Sequence, residues 1–254
     1  MKNLIDFSGK KIIIAGASSG IGRQTAITLS EFGAQLVLIA RREEKLREAV
    51  SELKGTGHGF YTADISKLEE IDSLFKMIKA DCGVVDGLVY CAGVNATLPL
   101  LQLKPNKLLD VFNVNFFGFV ETVRQVTRKG RFNPQMRIVA VSSNAAIRGD
   151  KAHTAYSASK AAMNAAIRCL AKELAEKGIC INAVAPAVTN TEIYRQYVAG
   201  SGEISNNERA LLERQYLGLI EPIDVAEAIA YLLSPAARMV TGITLPVDGG
   251  LSTS

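Results

Sequence analysis

A tyrosine and a lysine four residues apart form the pair in this sequence that is best suited to acid–base chemistry. They are Tyr156 and Lys160, in the segment Tyr-Ser-Ala-Ser-Lys. On a helix this spacing places both side chains on one face, so that they can act on one ligand. A phenol has a pKa of about 10, and lowering it towards 7 takes about 4 kcal/mol, which a neighbouring positive charge helps to supply. Taken alone, the pattern is more often a half-buried tyrosine beside a solvated lysine.

A glycine-rich turn with the spacing G-x-x-x-G-x-G lies far upstream of this pair. It follows a short apolar run and precedes an amphipathic stretch that continues to Phe32, with Gly33 as the expected helix stop. Glycines let the backbone approach a pyrophosphate, whose charge is met by free N–H groups at the helix start. Glycine turns also serve as plain corners, but the strand–turn–helix order favours a dinucleotide site. The predicted phosphate-binding residues are Gly16, Ser18, Ser19, Gly20, Ile21 and Gly22.

Seven short apolar runs are predicted to form the strands that position these residues. They alternate with helical patterns such as Glu43 to Leu53. Alternating strands and helices require right-handed crossovers, and nearly continuous apolar strands indicate a sheet covered on both faces. We therefore predict an α/β fold with a doubly wound parallel seven-stranded sheet of the Rossmann type, in a single domain spanning residues 1–254. The predicted strands are Ile12 to Ala15, Leu36 to Ala40, Phe60 to Thr62, Leu88 to Cys91, Ile138 to Val141, Cys180 to Val184 and Thr244 to Val247.

Local signals mark several element boundaries. Ser66 to Glu69 and Asp224 to Glu227 have the spacing of a capping box, and Pro105 suits a first helical turn. The polar insert at 191–219 is predicted to be a mobile lid over a cleft, although an ordinary surface helix pair fits nearly as well. It carries Tyr194, Tyr197 and Tyr216 around Gly200-Ser201-Gly202.

Composition excludes several functional classes. The 254 residues are 48% hydrophobic and 21% charged, which is typical of a globular protein, and the net charge of +4 is too small to indicate a nucleic-acid surface. The longest uncharged stretch, Gly87 to Leu103, is interrupted by polar residues and is too short to span a membrane. We expect no membrane association and no signal peptide. Four scattered cysteines and two histidines favour a cytoplasmic protein with reduced thiols and without a metal site.

With these motifs together, the chain resembles the short-chain dehydrogenase/reductase family over almost its full length. The matching features are the glycine turn, Asp64, Tyr90 to Gly93, Asn115, Ser143, Tyr156, Lys160, Pro186 to Thr191 and Val247 to Gly250. Three positions depart from the family pattern. Ala15 replaces a threonine, Tyr90-Cys91 replaces Asn-Asn, and Ala187 replaces a glycine. Cys91 is interpreted as an apolar filler.

The resemblance implies four catalytic residues, Asn115, Ser143, Tyr156 and Lys160. Tyr156 would be the general acid in reduction and the base in oxidation, with its pKa lowered by Lys160 and an oxidised nicotinamide. Ser143 would hydrogen-bond the substrate oxygen, and its offset of thirteen residues from Tyr156 selects it over Ser142. Asn115, preferred to its neighbour at 113, would hold a water for proton return, unless its amide makes a structural bond to a nearby carbonyl.

The resemblance also implies where the rest of a nicotinamide nucleotide binds. Asp64 and Ile65 would meet the adenine, although Asp64 is equally suited to capping the helix that follows. The remaining cofactor-binding residues implied are Ala92, Gly93, Tyr156, Lys160, Pro186, Val188 and Thr191. Ala40 and then Arg41 and Arg42 end the second strand, where an NAD enzyme usually has an acid, so we expect NADP (NADPH) with Arg41 on its 2′-phosphate.

The predicted function is NADP-dependent hydride transfer to a carbonyl, or from a secondary alcohol. The alternatives are a nicotinamide-binding sensor without turnover and a methyltransferase. Among family members the chain most resembles 3-oxoacyl-acyl-carrier-protein reductases, so that an acyl carrier protein is retained as a partner. A basic cluster of Arg124, Arg128, Lys129 and Arg131 could meet it, but a solvated face is the preferred interpretation. A homotetramer is expected in preference to a dimer, with contacts through Ala161, Ala162, Ala165 and Ala166, and the alternative is burial of that face against the chain's own sheet.

Overall fold

All seven predicted strands are present in one parallel sheet of order β3-β2-β1-β4-β5-β6-β7. The computed structural model describes residues 5–192, 194–195 and 206–253. Because β1 and β4 are neighbours while the chain winds outward from them in both directions, their carboxyl ends form the switch point of the sheet. The strands are β1 (Lys11–Ala15), β2 (Gln35–Ala40), β3 (Gly59–Thr62), β4 (Val85–Tyr90), β5 (Phe132–Val141), β6 (Cys180–Pro186) and β7 (Thr244–Val247).

Helices cover both faces of this sheet. Alternate residues of β1 point to opposite sides: Ile13 packs into one buried cluster with α3, α5 and α7, and Ile14 into another with α1, α2 and α9. The doubly wound α/β prediction is therefore confirmed. The helices are α1 (Gly20–Glu31), α2 (Glu43–Ser51), α3 (Leu68–Cys82), α4 (Pro105–Phe112), α5 (Gly118–Val126), α6 (Ala145–Arg148), α7 (Thr154–Ala175), α8 (Asn206–Arg214) and α9 (Pro222–Leu233), and a π-helical turn (Asn113–Phe117) joins α4 to α5.

Two strands, β4 and β5, begin three or more residues before the predicted start. β4 begins three residues earlier and ends at Tyr90, so that Cys91 lies in the following loop. β5 begins at Phe132 rather than near residue 138, because Pro134 and Gln135 interrupt the apolar pattern, and pairing with β4 resumes beyond them. The β4–β5 register shifts between Val85 and Gly87.

Both capping-box predictions are wrong. Helix α3 begins at Leu68, and the Ser66 hydroxyl and N–H are instead bonded to Asp64. Helix α9 is capped by Glu221, whose reciprocal partner is Asp224 at the third helical position, so the box lies three residues before the predicted one. The first-turn position of Pro105 and the stop at Gly33, which has φ +88°, agree with the predictions.

Helix α8 lies in the insert that was predicted to be a lid. Tyr194 and Tyr216 are described, whereas Tyr197 and Gly200-Ser201-Gly202 lie outside the described residues. The lid therefore stays a prediction. Over the part of the chain that is described, no helix is both long enough and apolar enough to cross a bilayer.

Candidate active site

The glycine turn is fixed by close backbone packing against the neighbouring strand end. Gly16 has φ +84°, and a Cβ built there would lie 2.5 Å from the Ala92 nitrogen. A Cβ at Gly22 would lie 2.1 Å from the Gly16 carbonyl oxygen and 3.1 Å from Cβ of Cys91. Only glycine fits these two positions, and the turn is thereby held in one shape.

The departures from the family pattern leave the connection between β1 and β4 intact. The Cys91 N–H donates to the Ala15 carbonyl over 2.8 Å, so the backbone makes the tie without a threonine hydroxyl. Burial raises the pKa of the Cys91 thiol to about 12. The thiol is therefore protonated at neutral pH and suits the predicted role of an apolar filler rather than a nucleophile.

The start of α1 is suited to binding an anion. The Ser19 side chain makes no capping bond, and the first turn contains no acidic residue that would neutralise the free N–H groups. The Thr191 methyl lies 3.4 Å from where a Cβ at Gly20 would be, so the segment after β6 meets the turn here. A cavity of about 420 Å³ opens at this junction; it is lined by Ser19, Gly20, Arg23, Gln24, Ile27, Asn190, Thr191, Glu192, Arg195 and Pro222.

The two arginines after β2 occupy different positions. Arg42 reaches the glycine turn, where its Nη2 lies 3.4 Å from the Ser18 hydroxyl oxygen and 3.3 Å from that of Ser19. Arg41 is exposed, and its charge helps to lower the pKa of Asp64. Arg42 therefore lies at the predicted phosphate-binding turn, and Arg41 lies near Asp64 at the predicted adenine end of the cleft.

Asp64 is held in a local turn rather than as a helix cap. Its Oδ1 accepts bonds from the Ser66 N–H over 3.0 Å and from the Ser66 hydroxyl over 2.8 Å. Burial raises the pKa of Asp64, but these bonds outweigh it, and the net pKa is below its ordinary value. The Ile65 side chain is buried in the core against Gly118, so its backbone is the part that can face an adenine.

Ser143, the serine that the residue offset selects, is close enough to Tyr156 to affect the ionisation of its phenol. Burial raises the pKa of Tyr156, and the hydrogen bond with Ser143 offsets part of that rise. The competing residue, Ser142, is 2% exposed, and its hydroxyl has no hydrogen-bond partner among the described residues. The expected lowering of the Tyr156 pKa is not produced by the protein groups alone, because burial of the phenol is the dominant effect.

Lys160 is buried beside the tyrosine. Its Nζ donates to the Val141 carbonyl over 2.7 Å and lies 5.9 Å from the centre of the Tyr156 ring. Burial lowers the pKa of Lys160 to about 8. A Cβ at Gly93 would lie 3.4 Å from this Nζ and 3.4 Å from Oδ1 of Asn115, so the loop after β4 packs directly beside both side chains.

The Asn115 amide makes structural hydrogen bonds, which the sequence analysis gave as the alternative to holding a water. Its Oδ1 accepts from the Val94 N–H over 2.8 Å, and its Nδ2 donates to the Val94 carbonyl over 3.0 Å and to the Ser159 hydroxyl over 2.9 Å. The Ser159 hydroxyl in turn donates to the Tyr156 carbonyl. Asn115 thereby joins the loop after β4 to helix α7, and a water-holding role would fall to the remaining lone pair of Oδ1.

The segment after β6 is held by a residue that sequence analysis did not single out. Gln215 is 1% exposed, accepts from the Val188 N–H over 3.1 Å and donates to the Val188 carbonyl over 3.1 Å and to the Gly218 carbonyl over 2.6 Å. The Pro186 carbonyl accepts from the N–H of Asn144. A single glutamine in a polar insert has no sequence signal that marks it as buried.

The two surfaces considered for partner binding, the basic cluster and the small-residue face of α7, are less available than expected. The basic cluster is largely paired: Arg124 bonds to Glu121, while Arg128 and Arg131 both bond to Asp72. The small-residue face of α7 is less open than expected, since Ala165 is exposed whereas Ala161, Ala162 and Ala166 are half-buried.

Comparison with known proteins finds relatives that match almost the whole chain. A family model described as enoyl-(acyl carrier protein) reductase matches residues 16–252. An L-xylulose reductase of Caenorhabditis elegans is 35% identical over 254 residues, which cover 98% of each chain. A 3-oxoacyl-(acyl-carrier-protein) reductase of Vibrio harveyi is 30% identical over 97% of this chain and 99% of its own. The structure of a dehydrogenase/reductase from Sinorhizobium meliloti 1021 matches with a TM-score of 0.87 at 30% identity, covering 98% of this chain and 97% of that one.

The chain belongs to the short-chain dehydrogenase/reductase family. It is an oxidoreductase that moves hydride between a nicotinamide cofactor and a carbonyl compound or alcohol.

Proposed function

We propose that the protein is an NADPH-dependent carbonyl reductase in which Tyr156 gives the proton to the substrate oxygen. The observation that carries this proposal is the convergence of Ser143, in the loop after β5, with Tyr156 and Lys160 on helix α7. A nicotinamide nucleotide supplies or accepts the hydride when bound. The glycine turn and the start of α1 suit its pyrophosphate. The glycines carry no side chains that would block the backbone, and the first turn of the helix has no acidic residue that would repel an anion.

The side chains divide the work on the substrate oxygen. The Ser143 hydroxyl holds that oxygen beside the Tyr156 phenol, which releases its proton as negative charge develops. Lys160, in its charged form, favours the phenolate that remains and binds the ribose hydroxyls. The Lys160 pKa of about 8 keeps most of its population charged at neutral pH.

Substitution of Tyr156 by phenylalanine tests the proposal. It removes the acid and keeps the ring, so reduction should slow by about 10²- to 10⁴-fold while NADPH affinity changes little. Tyr231→Phe, at a half-exposed tyrosine on α9, is the matched control and should retain the normal rate. Initial rates and nucleotide titrations measure both quantities. Near-normal turnover of Tyr156→Phe would remove Tyr156 from the mechanism, and a wild type that binds NADPH but reduces no carbonyl would favour a nicotinamide-binding sensor.

The proposed preference for NADPH is supported by the two arginines after β2. A 2′-phosphate carries about −1.5 to −2 charges, which a guanidinium can bind in bidentate fashion. We expect Arg41→Ala to reduce the ratio of NADPH to NADH efficiency by about 10- to 100-fold, with a smaller loss for Arg42→Ala. Arg47→Ala, on the helix α2 that follows the two arginines and bonded to Glu43, is the control. An unchanged ratio in Arg41→Ala would contradict this assignment.

The proposed substrates are small carbonyl compounds, with 3-oxoacyl thioesters as the first class to test. The relatives are named for different substrates, including L-xylulose and 3-oxoacyl-acyl-carrier-protein. Because the basic cluster is already paired with Glu121 and Asp72, it gives little support to acyl carrier protein as the obligatory carrier. A panel of acyl thioesters, sugars and cyclic ketones with NADPH separates these classes. A thioester rate below that of the sugars would exclude the first choice.

A cytoplasmic homotetramer is proposed for the assembled enzyme. The four cysteines are all free, which fits a reducing compartment, and Ala165 leaves room on α7 for the close approach of a second helix. Light scattering at micromolar concentration and cell fractionation test the two statements. A monomer mass, or recovery in an oxidising compartment, would contradict them.

A further inference from the structure

The buried hydroxyl of Tyr90 donates a hydrogen bond to one backbone carbonyl. The side chain is fully buried at the end of β4, and its ring packs edge-on against Phe119 with centroids 5.5 Å apart. The hydroxyl donates to the Val114 carbonyl over 2.5 Å. A buried phenol needs such a partner, and the choice of this carbonyl ties the sheet to the turn between α4 and α5.

The Val114 carbonyl lies in the π-helical turn Asn113–Phe117. In an uninterrupted α-helix it would accept from the N–H four residues later, which belongs to Gly118. Here the Gly118 N–H bonds to the Asn113 carbonyl instead. The Tyr90 hydroxyl therefore supplies a donor to a carbonyl from which the π-turn has removed the ordinary one.

Gly118 is shaped to admit this hydroxyl. A Cβ at Gly118 would lie 2.9 Å from the Tyr90 oxygen and 2.8 Å from the Ile65 carbonyl oxygen. Any larger residue would push the phenol away from the turn. The tyrosine and the glycine therefore fit together as one unit around the carbonyl of Val114.

Asn115 is the next residue along the turn, and its amide joins Val94 to Ser159 on helix α7. We infer that Tyr90 is a positioning residue, which fixes the π-turn so that Asn115 is aimed at the loop after β4 and at the helix that carries Tyr156 and Lys160. The inference rests on the proposed function only in its kinetic test. Burial raises the pKa of Tyr90 well above its ordinary value, so the hydroxyl remains a donor throughout the working pH range.

Tyr90→Phe removes the donor and keeps the ring. Tyr61→Phe is the matched control, since it also removes one bonded tyrosine hydroxyl, that to Asp81, away from the π-turn. Hydrogen exchange of a peptide spanning 113–119 should become faster in Tyr90→Phe and remain unchanged in Tyr61→Phe. This measurement needs no substrate or cofactor, so it decides the inference even if the proposed reaction is wrong.

A double-mutant cycle supplies the kinetic test. Tyr90→Phe should lower kcat by about 3- to 10-fold, the effect of one neutral hydrogen bond, with the KM for NADPH within about twofold. In an Asn115→Ala background the same substitution should have no further effect, because Tyr90 acts through Asn115. If the losses of kcat in the two single variants add in the double variant, Tyr90 does not act through Asn115. If Tyr90→Phe lowers Tm but leaves kcat and hydrogen exchange at 113–119 unchanged, Tyr90 is only a packing residue. Failure of the proposed function would instead show as normal turnover in Tyr156→Phe.

Discussion

The two walls of the cleft are built by opposite means. The wall around the glycine turn is shaped by backbone, with Gly16 and Gly22 packed against main-chain atoms at distances that admit no side chain. The wall around α7 is shaped by side chains, with Asn115, Ser159 and Lys160 buried and bonded to backbone carbonyls or to one another. One wall is defined by sterics and the other by hydrogen bonds and charge.

The two walls should therefore respond to mutation differently, one mainly through stability and the other mainly through catalytic rate. Backbone contacts in a packed turn cannot relax, so a small addition there damages the fold and the nucleotide site together. A buried side-chain network can lose one member while the packing persists, so the chemistry changes more than the stability. Three substitutions, in order of decreasing effect, test this contrast.

Gly22→Ala should have the largest effect. Its Cβ would lie 2.1 Å from the Gly16 carbonyl oxygen, a backbone atom that cannot move without opening the turn. We expect the free energy of unfolding to fall by about 4 kcal/mol or more, and NADPH binding to be lost. Gly59→Ala is the control, because nothing lies within 4 Å of its Cβ and φ is not positive there. Chemical denaturation of both variants measures the difference, and equal stabilities would refute the steric account.

Ser143→Ala should follow, with an effect on rate rather than on the fold. Losing the donor to the substrate oxygen should lower kcat by about 10²- to 10³-fold, while Tm shifts little. Ser142→Ala, one residue earlier, removes a hydroxyl that has no partner among the described residues and should leave kcat nearly unchanged. If the neighbouring variant proves to be the slow one, the assignment of the serine is wrong.

Lys160→Met should change the free energy of unfolding by less than Gly22→Ala does, and in the opposite direction. Burial holds the Lys160 pKa at about 8, below its ordinary 10.5, so desolvation of the charged lysine opposes folding fully below pH 8. Between pH 8 and 10.5 the folded protein releases the proton first, and the penalty disappears.

At pH 7 we therefore expect Lys160→Met to be more stable by about 2 kcal/mol, after loss of the bond to Val141, and the advantage to vanish by pH 11. Thermal melts at both pH values, with the exposed Lys172→Met on the same helix as control, decide the sign. A destabilised Lys160→Met at pH 7 would show that the bond outweighs the desolvation.

The wall around the glycine turn could be predicted from the sequence, whereas the wall around α7 could be predicted only in part. Glycine spacing after an apolar run encodes a turn directly, since glycine alone permits the required contacts. Apolar runs gave all seven strands, but the start of β5 was missed because Pro134 and Gln135 break the apolar pattern, and pairing with β4 resumes beyond them in a shifted register.

The remainder depends on contacts between distant residues. The offset of thirteen residues between Ser143 and Tyr156 selected one serine. No sequence pattern near Gln215 or Tyr90 predicts the backbone carbonyl to which each side chain donates. The capping boxes failed for a related reason. At Ser66 a carboxylate two residues earlier competes for the same groups, and at α9 the proline at its first position moves the cap to Glu221.

The bonds of Gln215 to Val188 and Gly218 have an evolutionary consequence. With the Asn190 N–H donating to the Ile220 carbonyl over 2.8 Å, they tie both ends of the insert to each other at the sheet. The chain between these ties can therefore change in length without moving the sheet, because doubling a closed loop costs only about 0.6 kcal/mol. Such a stem lets the insert differ between related sequences while Ser143, Tyr156 and Lys160 keep their positions after β5 and on α7.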